Sequence, residues 1–435
     1  HELPVARGRR GDGMSGTPEV VVLNDYASLT GGSTAVALAS ARGLAARGVP
    51  VTLFTCVGPV APTVQGVPNL EVVCLGQAEI ARDRNRLRAF AGGWRNGPAV
   101  RGLRALLRDK SPANTVVHAH TWTKALSPFA LAAVADLGFP LVVTLHDFFI
   151  ACPNGGFFVH GPDRICRLEP LSGACWRCHC DRRNYGHKLW RNARTVLQNR
   201  LLHVPRKAAH YVGVSDFSLR ILRPHLPPGI PARVVRNPVD CAFSAPAAVA
   251  GNRRFVFLGR FETEKGVRLF AAAARAAGVP ATFIGDGALR PELQRLCPEA
   301  EFTGWLTPER IRAKLREARM LVFPPLWYET LGLVVIEAAA AGVPALVASG
   351  CAATDYIRPD VNGLHFEHGS VESLAAQMRR LAADDARVER LGRAAHDWYW
   401  RNPWTTDGHV DELMELYRDV LGAPAPAAKE GVLVA

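Results

Sequence analysis

Short apolar, β-branched runs recur along the chain and alternate with longer stretches rich in Ala, Leu and Arg. EVVVLND, VTLFTC, LEVVCL, TVVHAH, LVVTLH and HYVGVS occupy the first half, and ARVVRNP, RFVFLGR, ATFIGD, EFTGW, MLVFPP and ALVAS restart the series in the second. Runs this short and continuously apolar predict strands covered on both faces, with the helical stretches as crossovers between parallel neighbours. Two Rossmann-like α/β halves in sequence are the simplest arrangement. The break falls near RNPVD, residues 236–240, where Pro238 restricts Asn237 and small residues follow. This gives a first domain over residues 14–237 and a second over 238–400. Apolar positions at helical spacing then predict a last helix within 401–421, and the Pro/Ala-rich residues 422–435 read as a tail.

The length of 435 residues suits two domains, and two domains make a cleft possible. No apolar run reaches the roughly 18–20 residues of a membrane span. Residues 1–13, ahead of Met14, lack the apolar core of a signal peptide and are set aside as a second tail. Without an export signal the expected compartment is the cytoplasm, where clustered cysteines hold metal more often than they form disulfides. A net charge of +13 favours an acidic partner: nucleic acid, anionic lipid or a phosphorylated small molecule. The excess is concentrated in two stretches of the first half. One holds Arg82, Arg84, Arg86, Arg88, Arg95, Arg101, Arg104, Arg108 and Lys110; the other runs from Arg182 and Arg183 through Lys188, Arg191, Arg194 and Arg200 to Arg206 and Lys207.

Two segments of the second half carry chemistry. GRFETEKG follows a strand and brings Arg260 and Lys265 to the carboxyl edge of the sheet, a forked donor and a mobile point charge suited to a diphosphate. A pair of solvated surface cations is the plainer alternative. In WYETLGLVVIEAAAAG, Glu329 precedes Thr330, Leu331 and Gly332, which open a helix containing Glu337. Free amides at such a start attract phosphate, and Gly332 allows close approach. The eight-residue spacing puts both acids on nearly one face, where they can take sugar and ribose hydroxyls; ordinary capping and surface roles are the alternative. In the first half, Gly31 and Gly32 lie between strand and helix, beside Ser33 and Thr34, and His118 and His120 alternate on a strand. His146 and Asp147 close another strand, where they could meet a second substrate.

GRFETEKG, FIGDGALRPEL, FTGWLT, FPPLWYETLGLVVIEAAAAGVPALVAS and NGLHF, at these spacings, resemble family 4 of the retaining glycosyltransferases, whose fold is GT-B. The resemblance spans residues 19–421. It implies two Rossmann-like domains facing across a cleft, with mostly parallel sheets and a C-terminal helix crossing back to the first domain. It further implies transfer of a sugar, with retention, from a nucleotide-diphosphate sugar to a glycan or lipid-linked acceptor in polysaccharide or glycolipid biosynthesis, with no metal needed for transfer. Arg260 and Lys265 then hold the donor diphosphate, Glu329 the transferred sugar and Glu337 the ribose, with Thr330, Leu331 and Gly332 binding the donor on the same side, while Gly31 and Gly32 approach the diphosphate from across the cleft. His120, in preference to His118, corresponds to the histidine that bonds the donor sugar. UDP- and GDP-linked donors both remain open. The basic stretches would rest on anionic membrane, making the protein peripheral at its inner face.

One run remains. CPNGGFFVHGPDRICRLEPLSGACWRCHC opens the insertion at residues 152–187, and Cys152, Cys166, Cys175 and Cys178 have the number and spacing of a structural zinc site, with Cys180, His179 and His187 as spare ligands. A long Gly-rich stretch with few periodic apolar residues has little else to order it. Rival readings are a sugar-nucleotide epimerase or phosphorylase on the same architecture, and a zinc-stabilised nucleic-acid binder. The last leaves the donor block unused, so no nucleic-acid partner is expected.

Overall fold

The computed structural model describes residues 18–80 and 91–422. Arg82, Arg84, Arg86 and Arg88 of the first basic stretch, and the expected tails apart from Gly422, lie outside them. The first sheet has the order β3-β2-β1-β4-β5-β8-β9. Its strands are β1 (Glu19–Tyr26), β2 (Val51–Val57), β3 (Leu70–Cys74), β4 (Thr115–Ala119), β5 (Leu141–Leu145), β8 (His210–Gly213) and β9 (Ala232–Val234). Every pairing in it is parallel. Between β5 and β8 the chain inserts a small antiparallel pair, β6 (Phe158–Val159) and β7 (Arg164–Ile165), then the helices Gly173–Arg177 and Tyr185–Val196. The second sheet, also wholly parallel, has the order β12-β11-β10-β13-β14-β15. It is built from β10 (Arg254–Leu258), β11 (Ala281–Ile284), β12 (Glu301–Gly304), β13 (Ala318–Phe323), β14 (Ala345–Ala348) and β15 (Gly363–Phe366).

The apolar runs become strands because helices cover both faces, so each strand buries successive residues instead of alternate ones; Val20, Val21, Val22 and Leu23 are all fully buried. Even Arg319 of β13 is buried. It is tolerated because its guanidinium donates to the carbonyls of Leu381, Ala250 and Asn252 and reaches Asp385 at 2.7 Å.

The last helix, Thr406–Gly422, returns to the first sheet. Its Val410, Leu413, Leu416 and Tyr417 join the core of Val20, Val22, Leu38 and Leu44. Two polar links fix its register: Tyr417 Oη and His118 Nδ1 at 2.6 Å, and His409 Nε2 and Ser40 Oγ at 2.7 Å. Gly43 is small because a Cβ there would come within 2.7 Å of both Thr406 and Val410. The two passages between the sheets run side by side, joined where Val239 N donates to Trp404 O at 2.6 Å and Thr406 N to Asp240 Oδ1 at 2.8 Å.

Candidate active site

The carboxyl ends of the two sheets face each other across a cleft of about 550 Å³. On one side, the helix Gly32–Ala46 begins at Gly31 with no side-chain cap; on the other, the helix Leu333–Ala340 begins at Gly332, also uncapped. A Cβ on Gly32 would lie 3.3 Å from Leu333, so the two helix starts converge. Both present free backbone N–H groups to the space between them, a site for an anion held from two sides. Gly332 has φ 84°, and a Cβ there would press on the Phe323 ring at 2.9 Å, so the position is closed to larger residues.

Arg260 and Lys265 stand beside this convergence, as the sequence leads one to expect. Gly266 makes the turn that carries Lys265, with φ 70° and its backbone against Pro324 O. Lys265 Nζ lies 2.6 Å from Glu329 Oε2, which also accepts from Trp327 Nε1 at 3.0 Å, while the ammonium lies 5.0 Å from the Trp327 ring centroid. The next residues tie this loop to the first domain: Thr330 Oγ1 donates to His146 O at 3.1 Å, and Ser215 Oγ to Thr330 O at 2.6 Å. Leu331 is buried, and Tyr356 Oη donates to its carbonyl at 2.7 Å.

Glu337 is half-buried and, unlike Glu329, does not line the cleft. Leu333 and Val334 of its helix line the cleft, whereas burial pushes the Glu337 carboxyl up to about 7, opposed by Arg312.

The histidines divide by depth. His118 is spent on structure, between Tyr417 and Thr144 Oγ1 at 2.7 Å. His120 does not line the cleft; it is 2% exposed, with Nδ1 3.0 Å from His146 Nε2 and no hydrogen-bond partner at Nε2. His146 is the histidine on the wall. Burial pushes it down to about 3, and His120 well below the usual imidazole range, so both are neutral.

Beside His146, burial pushes Asp147 up to about 6 although Phe149 N donates to it at 3.0 Å. Asp25 at the end of β1 also lines the wall, accepting from Lys124 N at 2.9 Å and from Ala125 N and Leu126 N at 2.8 Å. Asp25, Lys124, Trp305 and Trp327 were not singled out by the sequence reading; for Asp25, the position of LND at a strand end was the available signal.

The insertion corrects the zinc expectation. All ten cysteines are free, and no three His, Cys, Asp or Glu side chains among the described residues are arranged to hold a metal. Cys152, Cys166, Cys175 and Cys178 therefore do not form the four-thiolate site. The physical reason is Lys188, 1% exposed, whose ammonium lies 3.4 Å from Cys175 Sγ with Cys180 and Cys152 also near it, a fixed cation inside the thiol cluster. His187 is likewise committed, to Asp181 at 2.7 Å. The segment is ordered by polar contacts instead: Asn154 Nδ2 donates to Cys180 O at 2.8 Å, and Arg191 reaches both Asn154 O and Asp181. The second basic stretch is not a continuous surface either, since Lys188 and Arg194 are buried. No helix among the described residues is long and apolar enough to cross a membrane.

With this geometry in hand, the likenesses to known proteins are specific. Residues 30–243 match the family model described as Glycosyltransferase Family 4, and residues 252–384 the one described as Glycosyl transferases group 1. Glycogen synthase of Mycobacterium tuberculosis is 27% identical over 328 residues, covering 71% of each chain. D-inositol 3-phosphate glycosyltransferase of Nocardiopsis dassonvillei is 25% identical over 418 residues, covering 89% of each. The crystal structure of Anabaena Alr3699/HepE in complex with UDP superimposes with a TM-score of 0.61 at 15% identity, covering 92% of this chain and all of that one. The convergent helix starts thus lie in a GT-B fold whose first half matches Glycosyltransferase Family 4 and whose second matches Glycosyl transferases group 1, and together these make the chain a glycosyltransferase of the GT-B type.

Proposed function

We propose that the protein moves a hexose, with retention of anomeric configuration, from a nucleotide-diphosphate sugar to a glycan or lipid-linked acceptor. The observation carrying this reading is the convergence of two uncapped helix starts, at Gly32 and Leu333, beside Lys265 and Arg260. That arrangement suits a diphosphate, and the UDP complex of a protein with the same fold supports it. In this reading the diphosphate spans the helix starts, Glu329 takes a hydroxyl of the transferred sugar, Glu337 the ribose, and His146 meets the sugar from the first domain. The acceptor enters past Asp147.

Arg260, Lys265 and the helix-start amides stabilise charge as the sugar–phosphate bond breaks. The acceptor hydroxyl attacks the face the diphosphate leaves, and its proton passes to a departing phosphate oxygen. The carboxyl pair of a glycoside hydrolase is not required for such a course. For a lipid-linked acceptor, the docking face is the exposed row Arg101, Arg104 and Arg108 of the helix Gly97–Arg108, resting on anionic lipid.

The test is binding and hydrolysis across UDP-, GDP- and dTDP-sugars with the wild type and Glu337→Ala, followed by the anomeric configuration of the product by NMR. One donor bound by the wild type and lost in the variant supports the reading. Failure of every donor to bind overturns it, and an inverted product overturns retention.

A further inference from the structure

Two contacts bring the segment of residues 152–187 against the second domain beside its donor-site cations: one on Trp327, which holds a carboxylate, and one on a carboxylate itself. Gly156 packs against the Trp327 indole so closely that a Cβ on it would lie 3.2 Å from the ring, and Trp327 holds Glu329, the partner of Lys265. Arg182 Nη1 lies 3.3 Å from Glu262 Oε1, and the same carboxylate receives Arg260 Nη1 at 3.2 Å. Glu262 is thus shared between a cation of the donor site and a cation of the insertion.

A diphosphate that recruits Arg260 competes with Glu262 for it. The carboxylate is then left beside a doubly charged ligand, and its repulsion falls on the bound state unless another cation stays with it. Arg182 is the group in place to do so. It is 61% exposed and Glu262 19%, so the pair is modest in the free protein and gains importance only when Arg260 turns away.

We propose that Arg182 is a positioning residue for the donor diphosphate: it holds Glu262 and so releases Arg260 to the ligand, coupling the cysteine-rich segment to donor binding. By reciprocity, the bound diphosphate tightens the contact between that segment and the second domain. The inference rests on the donor reading of the cleft.

The test is calorimetric titration of the full chain with UDP and with GDP. Arg182→Ala is expected to weaken binding about threefold, the scale of one exposed ion pair, and Arg182→Lys to retain most of it. Glu262→Gln, which frees Arg260 and removes the repulsion, is expected to tighten binding by about the same factor. In the Glu262→Gln background, Arg182→Ala should change nothing, whereas a merely structural role for Arg182 would weaken binding in both backgrounds. Additive effects, or wild-type affinity in Arg182→Ala, overturn the inference and leave the donor reading intact. A wild type that binds neither nucleotide, nor any dTDP-sugar, overturns both.

Discussion

Lys265 and Glu329 hold each other across the donor end of the cleft, Nζ to Oε2 at 2.6 Å, with side chains 22% and 14% exposed. Each satisfies the other, and in the proposed reading the donor separates them. Glu329→Gln is expected to leave nucleotide affinity equal or higher, because Lys265 loses its competitor, while transfer falls by roughly two orders of magnitude. Lys265→Ala should weaken nucleotide binding by about tenfold. Calorimetry together with turnover separates the two, and equal loss of affinity in both variants would argue against the exchange of partners.

Glu337 should make donor binding and stability depend on pH in opposite directions. Its carboxyl is pushed up to about 7 by burial, so the folded protein keeps a proton that the unfolded chain releases. Its favourable contribution is fully present below about pH 4.5 and is lost as the pH climbs through 7, by roughly 3 kcal/mol at pH 8. Glu337→Gln should therefore raise Tm at pH 8 and leave it unchanged near pH 4. In the proposed reading ribose hydroxyls donate to the ionised form, so nucleotide binding just below pH 7 should release a proton, measurable by calorimetry in two buffers of different ionisation enthalpy.

His146 and His120 are both neutral, and only the first lines the cleft. His146→Ala is expected to lower kcat by roughly a hundredfold with nucleotide affinity kept, and His120→Ala by about tenfold, because it acts by orienting its neighbour. The pH–rate profile should show no imidazole inflection near 6.5. In kcat, measured with donor saturating so that Glu337 is already ionised, an acidic limb near 6 from Asp147 is expected, and Asp147→Asn should remove it.

The hydrogen bond between Tyr417 and His118 joins the last helix to the first sheet. Tyr417→Phe leaves a buried imidazole nitrogen without a partner and is expected to cost about 1–3 kcal/mol in chemical denaturation. Nucleotide affinity at the distant diphosphate end should be unaffected.

Much of this site was legible because glycine and strand ends are local signals. Gly266 and Gly332 mark turns that no larger residue can make, and they bracket the segments that carry Lys265 and Glu329. The histidines were harder, because alternation tells which face a side chain takes and says nothing of depth: His120 proved to stand behind His146, which comes from a different strand. The cysteine run was misread for a related reason. Spacing counts possible ligands, but it cannot show that Lys188, from a helix further along the chain, occupies their midst. Glu262 was equally silent in sequence, since its partner Arg182 comes from the other domain.

The return of the helix Thr406–Gly422 has a consequence for biosynthesis. Val410, Leu413, Leu416 and Tyr417 seal a core whose other members, Val20, Val22, Leu44 and Val51, are translated hundreds of residues earlier. On the ribosome the half that emerges first is therefore finished last, and its apolar face stays open to chaperones, or to another nascent copy, until residues 406–422 are released.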